Sequence, residues 1–422
     1  MENCIKEAFL AILKEELIPA MGCTEPISLA YAAARAREFL PDVPDRITAA
    51  CSDNMIKNVR CVQIPNSKGM HGIEAAVLLG MVGGDAGRKM EVLEAVTPDA
   101  IARVHRMLDE QVCVVTCLAS DIPLHFIIKA YAGETWVEVE VKHSHLGVVR
   151  IERNGEILYR AEEKTAESVG ADRSLLTLEG IKDFADKVDI DDIRSLFDRQ
   201  IRCNMDIAYE GISGGYGLGI GHIIRASYAD STVTRMKAYA AAASEARMDG
   251  CDMPVIINSG SGNQGIASSV PVIIYAREHD ISREKLYRAL AFSALLTVYQ
   301  KEFIGRLSAF CGAVSATCAA GAAITYLCGG TLKQIKATIG NTLANVPGII
   351  CDGAKISCAA KIASSLDAAM LAHFLAMNDR EYEAYTGILK EEIGETIRCV
   401  GYIGKVGMKE TDKEIVKLML ES

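Results

Sequence analysis

Four stretches in the C-terminal half constrain the fold most strongly: "MKAYAAAASEARMDG", "ALAFSALLTVYQKEF", "GAVSATCAAGAAITYL" and "AAKIASSLDAAMLAHFLAM". Each is longer than an ordinary strand and apolar at helical spacing, so each reads as a buried helix. Their side chains are mostly Ala, Gly and Ser, so they bury surface only by approaching one another closely. The second half of the chain therefore predicts a tightly packed helical body. Residues 5–18 and 26–39 carry helical spacing as well, with Ile5, Phe9, Ile12 and Leu13, then Ile27, Ala30, Tyr31 and Ala34.

Between these regions the texture changes. "VCVVTCLA", "LHFIIKAYA", "TWVEVEVKH" and "GVVRIERNG" are short β-branched or alternating runs separated by turn residues, the pattern of consecutive antiparallel strands. The expected class is α+β: a mainly α-helical catalytic body interrupted by an inserted α/β domain with an antiparallel sheet. Residues 1–40 are assigned to the body, 41–168 to the insertion and 169–422 to the body again. At 422 residues the chain exceeds a single ordinary core, which agrees with such a division.

Net charge is −10 with no long basic run, which argues against a nucleic-acid partner and against an anionic membrane surface. Glu2, Glu7, Glu15 and Glu16 interrupt the apolar spacing at the N-terminus, so it does not read as a secretory signal. No charge-free stretch reaches the roughly 20 residues that span a bilayer. The expectation is a cytoplasmic protein with a small-molecule task, and a homodimer on the general tendency of such helical bodies. In a reducing compartment the 14 cysteines are not a disulfide framework. Each is a small buried hydrophobe, a metal ligand or a reactive thiol.

Two segments share a cysteine spacing. Cys311 and Cys318 are seven apart in "AFCGAVSATCAAGAA", and Cys351 and Cys358 are seven apart in "GIICDGAKISCAAK". There is no CxxC, so neither a zinc ribbon nor a ferredoxin-type run is supported. A cluster assembled from distant loops remains open. Gly312 and Gly353 beside these thiols allow backbone to approach a bulky inorganic group, whereas Cys318 and Cys328 lie in an apolar helix and read as packing residues.

In "IPAMGCTEPISLAYAAARAREFL", Thr24 or Glu25 is expected to cap a helix that Pro26 helps to start. That places Cys23 at the helix N-terminus, where a thiolate is favoured as metal ligand, base or nucleophile. "VIINSGSGNQGIASSVPV" alternates Gly and Ser with amides. Ser259, Ser261, Gly262, Asn263 and Gln264 form a candidate nest for a carboxylate and an ammonium group. "GGYGLGIGH" lacks the spacing of a dinucleotide fingerprint. The connection with Asp53, Asn54, Lys57, Asn58, Asn66, Lys68 and His71 is polar enough to face an active site. A lone His71 reads as structural, and His143 and His145 are assigned no chemistry.

Taken together, "MGCTEP", "IPNSKGMHGIEAA", "SGSGNQGI", the cysteine of "AFCGA" and "CDGAKISCAAK" resemble the L-cysteine desulfidase family, itself related to the iron–sulfur L-serine dehydratase α-chain group. The resemblance runs from residue 18 to about 405. It implies a lyase without pyridoxal phosphate that holds an oxygen-sensitive [4Fe-4S] cluster by three cysteines and converts L-cysteine to pyruvate, sulfide and ammonia. Position by position, Cys311 resembles the first cluster cysteine, and Cys351 and Cys358 resemble the following pair. That pair is more closely spaced here than in serine dehydratases, which leaves Cys23 as a competing third ligand. Cys23 stands where serine dehydratases carry a histidine, which implies a base or alternative ligand, with Thr24 a substrate-carboxylate contact. Lys355 or Lys361 would supply positive charge. L-serine dehydration by the same mechanism is the alternative, and a non-catalytic amino-acid or oxygen sensor is the reading from another class.

Overall fold

The computed structural model describes residues 3–161, 171–305 and 308–421. The boundary expected at residues 168 and 169 lies outside the described residues. The chain begins with α1 (Asn3–Glu16), β1 (Pro19–Met21) and α2 (Thr24–Arg37). Next come β2 (Arg46–Cys51), α3 (Asp53–Val59), α4 (Gly72–Gly83) and α5 (Pro98–Asp109). Strands β3 (Cys113–Cys117), β4 (His125–Ala132), β5 (Thr135–Lys142), β6 (Val148–Arg153) and β7 (Glu156–Arg160) follow. The remainder is helical apart from β8 (Pro254–Ile256). Before that strand come α6 (Leu178–Lys187), α7 (Ile190–Ser213), α8 (Ile220–Ser227) and α9 (Thr232–Met248). After it come α10 (Gly262–Glu278), α11 (Arg283–Ile304), α12 (Gly312–Leu327), α13 (Leu332–Asn345), α14 (Cys358–Met377), α15 (Ile393–Tyr402) and α16 (Lys409–Glu421).

The protein is α+β, with a six-stranded sheet in the order β3-β2-β4-β5-β6-β7. Alternation in β4 and β5 does what the sequence pattern requires. Phe126, Ile128 and Ala130 lie beside Val141, Val139 and Val137 on one buried face. Lys129, Glu138, Glu140 and Arg150 form ion pairs on the other. The sheet is mixed rather than antiparallel throughout, because β2 pairs in parallel with β3. Helices α3 to α5 intervene between those two strands, and a crossover of that length returns the chain in the same direction. β2 itself, "RITAAC", has no alternation strong enough to announce a strand.

Helix α2 packs on α4 and on β4 and β5, so the N-terminal segment links the sheet to the rest of the fold. In the helical body α12 is packed between α10, α11, α13 and α14. The small residues permit the approach: a Cβ added at Gly321 of α12 would lie 2.9 Å from the Cβ of Ala369 in α14. Helix α14 is long and apolar enough to cross a membrane, yet 61% of its apolar window is buried here, against α9, α12 and α13. Buried residues of sheet and body belong to one continuous cluster.

Candidate functional site

Two short pairings fix the site. β1 runs antiparallel to β8, with Pro19 opposite Ile256 and Met21 opposite Pro254. This ties the segment before Cys23 to the segment before Asn258. After β8, the backbones of Asn258 and Ser261 exchange hydrogen bonds of 3.1 and 3.0 Å around Ser259 and Gly260. Both central residues have positive φ, 49° and 77°, so the "NSGS" stretch is a tight turn that delivers the chain into α10. Farther on, Cys351 N donates to Ala309 O (2.7 Å) and Cys311 N donates to Ile349 O (2.9 Å). The two cysteine loops thus lie side by side as a minimal antiparallel pair. Gly353 has φ 97°, and any Cβ there would meet Lys57 O at 2.3 Å, so the Cys351 loop rests directly on α3.

These pairings bring Cys23, Cys311, Cys351 and Cys358 to the wall of one cavity of about 90 Å³, together with Ser259, Ser261, Asn263 and Gln264. Four helices point their N-termini at it. Cys23 precedes α2, Ser261 precedes α10, Cys311 precedes α12, and Cys358 is the first residue of α14. None of the four has a side-chain cap. In α14 the preceding turn closes the start, Cys358 N donating to Lys355 O (2.9 Å) and Ala359 N to Ile356 O (3.1 Å), so it is at α2, α10 and α12 that a ligand in the cavity meets first-turn N–H groups with no side-chain cap. Arg247 and Lys301 add positive charge to the wall, and Glu25 supplies a carboxylate. Such a setting favours anions.

The thiols differ in character. Cys311 donates to Cys351, and this bond, with burial, holds its own proton well above the usual thiol range. Cys351 is drawn down to about 6 by the same bond against the cost of burial, with Lys57 and Lys361 assisting. Burial pushes Cys358 up. Cys23 is also pushed well up, by burial and then by Glu25, whose Oε2 accepts from Sγ at 3.1 Å. The expected thiolate at Cys23 is thus not favoured: loss of water and an adjacent carboxylate outweigh the helix end.

Neither Thr24 nor Glu25 caps α2. Cys23 occupies the N-cap, and Thr24 is already helical. The Thr24 hydroxyl is directed to Gly260 O (2.9 Å) and Glu25 Oε2 (3.0 Å), which locks α2 to the 258–261 turn rather than placing Thr24 in the cavity wall. Gly262 likewise stands behind the wall, at the start of α10. Lys355 and Lys361 are both paired with Asp352. Against the cost of burial they hold its carboxyl down at about 2. Of the polar 53–71 connection, Asn58 reaches this cavity. Asn66 and Lys68 line a different one, of about 330 Å³, with Gln63 and Asp252. That larger cavity has no thiol in its wall, so the chemistry gathers in the smaller one.

The sequence reading missed Arg247, Lys301 and His145, all of which line the site. Arg247 lay within an Ala-rich helical run, where its one signal was a full charge among small buried neighbours. His145 stands in "VKHSHLG", which reads as a strand end and carries no signal of its own.

The serine dehydratase alpha-chain model matches residues 87–417, most of the chain. The chain belongs to the serine dehydratase alpha-chain family. The matched span holds Cys311, Cys351, Cys358 and the 258–264 turn, and Cys23 lies N-terminal to it. Curated relatives extend over nearly the full length. A UPF0597 protein of Lachnoclostridium phytofermentans is 48% identical over 97% of this chain and 98% of its own. One of Desulfitobacterium hafniense is 46% identical over 98% and 96%, and one of Finegoldia magna is 45% identical over 98% and 99%. In this member of the dehydratase family, no three His, Cys, Asp or Glu side chains among the described residues stand close enough to share one metal ion.

Proposed function

We propose that this protein is a pyridoxal-phosphate-independent L-cysteine desulfidase, in which Cys311, Cys351 and Cys358 hold a [4Fe-4S] cluster. The observation that carries this reading is the convergence of three cysteines from two paired loops with four helix N-termini that lack a side-chain cap on one cavity. When bound, such a cluster supplies an iron without a protein thiolate, a Lewis acid for a departing sulfide.

The chain's own residues bind, orient and move protons. The Cys23 thiol, with its proton directed at Glu25 Oε2, is the candidate to take the Cα proton while its own passes to Glu25, which also accepts from Thr24 and from Asn58 Nδ2 (3.5 Å). Breaking the Cα–H and Cβ–S bonds releases sulfide and leaves 2-aminoacrylate. Tautomerisation to the imine and hydrolysis then give pyruvate and ammonia. The 258–264 turn and the start of α10 orient the substrate, and burial of the walls keeps water from the Cα carbanion.

The family match favours a second reading, L-serine dehydration in the same site, since only the β-substituent changes. The deciding experiment is anaerobic iron and acid-labile sulfide analysis alongside pyruvate release from L-cysteine and L-serine, on the parent and on alanine variants of Cys23, Cys311, Cys351 and Cys358. Four irons per chain, with sulfide and pyruvate released together from L-cysteine, is the expected result. Turnover of serine alone makes it a dehydratase. A protein that binds iron and releases no pyruvate is a sensor, and one that binds no iron ends the cluster reading.

A further inference from the structure

Helix α9 carries three buried charged side chains among its alanines: Lys237, Glu245 and Arg247. Two are answered. Lys237 Nζ pairs with Asp367, and Glu245 accepts from the backbone N–H groups of Leu218 and Ile220, both at 2.7 Å. Arg247, 2% exposed, is not. Its Nη1 donates to the neutral Asn263 Oδ1 at 3.1 Å, its Nε is buried with no partner, and no carboxylate among the described residues pairs with it. A buried guanidinium without a counter-anion is strongly disfavoured unless a ligand completes it.

Its position sharpens the point. A Cβ at Gly262 would lie 2.2 Å from Arg247 Nε, so the guanidinium lies against the first turn of α10. That turn presents N–H groups with no side-chain cap. A full positive charge set against the positive end of a helix is repulsive until an anion joins both. The group holding Arg247 is itself fixed: Asn263 Oδ1 also accepts from Ser244 Oγ at 3.0 Å. The same cavity holds a second orphan of opposite kind. Gln264 Oε1, on that turn, is buried without a donor, and its amide is pinned 2.7 Å from where a Cβ of Gly312 would stand, next to Cys311.

We propose that Arg247 and Gln264 together form the recognition site for an α-amino acid zwitterion, Arg247 and the start of α10 taking the carboxylate and Gln264 Oε1 the ammonium. The proposal rests on the functional reading above only in supposing that the ligand is the amino-acid substrate. It adds to that reading which side chains hold the two charged ends of the substrate, with the substrate's own side chain directed toward Cys311.

The test is calorimetric titration of the full chain with L-alanine, propionate and ethylamine, none of which has a leaving group, with iron content measured on each sample. L-alanine is expected to bind saturably, propionate more weakly and ethylamine not at all. Arg247→Met should weaken L-alanine and propionate by about tenfold or more. Arg247→Lys should recover part of that loss, and Gln264→Met should weaken L-alanine while sparing propionate. Unchanged L-alanine affinity in Arg247→Met, or ethylamine binding as tightly as L-alanine, overturns the proposal. If Arg247→Met does not fold, Arg247→Lys and Gln264→Met decide: affinities equal to the parent's in both refute it. Failure of the desulfidase reading would show as missing iron or missing sulfide release, neither of which these titrations require.

Discussion

Helices α5, α6, α7, α9, α11 and α13 begin at Thr97, Thr177, Asp189, Ser231, Ser282 and Thr331, each with a side-chain oxygen accepting from the first turn. The four that meet at the cavity begin at Cys23, Ser261, Cys311 and Ser357 without any such bond. A good cap contributes about 1 kcal/mol, so each start without one forgoes roughly that much local stabilisation. The difference teaches where the fold keeps its hydrogen-bonding capacity in reserve. Helices α3, α4, α8 and α15 also start without a side-chain cap, so an open start alone does not mark the site; what sets the second group apart is that its starts meet at one cavity lined by thiols.

The comparison breaks most completely at a cysteine. Cys351→Ala should abolish iron retention and turnover under anaerobic conditions while far-UV circular dichroism keeps its helical signal. A full complement of iron in that variant would remove Cys351 from the ligand set. Closing one inner helix comes next. Ser261→Asp gives α10 the carboxylate cap it lacks, which should raise stability by up to ~1 kcal/mol in urea titration and raise KM for L-cysteine by about tenfold or more. Equal KM in that variant would mean the α10 end is not used for binding.

A third effect lies inside α14, away from its cysteine. His373 is 3% exposed, and burial lowers its pKa to about 4. Its unfolded value is about 6.5, so the unfolded chain takes up the proton first as pH falls. The contribution is complete above about pH 6.5 and is lost progressively down to about pH 4, up to ~3 kcal/mol in total. Urea midpoints across that range should fall less steeply in His373→Gln than in the parent. Smallest is the outer cap itself. Thr331 and Gln334 form a reciprocal capping box on α13, and Thr331→Ala should cost about 1 kcal/mol in urea titration with kcat unchanged.

Much of the scaffold was legible because it obeys local rules. The alternation of "LHFIIKAYA" and "TWVEVEVKH" marked β4 and β5, and the Ala-rich runs marked α9, α12 and α14. What stayed hidden depends on contacts distant in sequence. The parallel pairing of β2 is set by the helices between it and β3. Glu25 read as a cap because its contact with Asn58, 33 residues away, comes only through the fold. Arg247 is the plainest case: a helical pattern cannot say that a charge will be buried, still less that it will lack a counter-charge. The cysteines stood out by residue type and spacing, while the loop pairing that sets Cys311 beside Cys351 had no sequence signal.

The hydrogen bond from Thr24 to Gly260 joins residues 236 apart, and the pair Lys57–Asp412 joins residues 355 apart. Contacts of such separation form late, since long loops must close before they are rewarded. A chain still emerging from the ribosome has no pocket until residue 358 has been made and the first helices have found the last. On the cluster reading proposed above, competence to take up metal is a property of the finished fold, and the rate at which iron is acquired after dilution from denaturant becomes a clock for that closure.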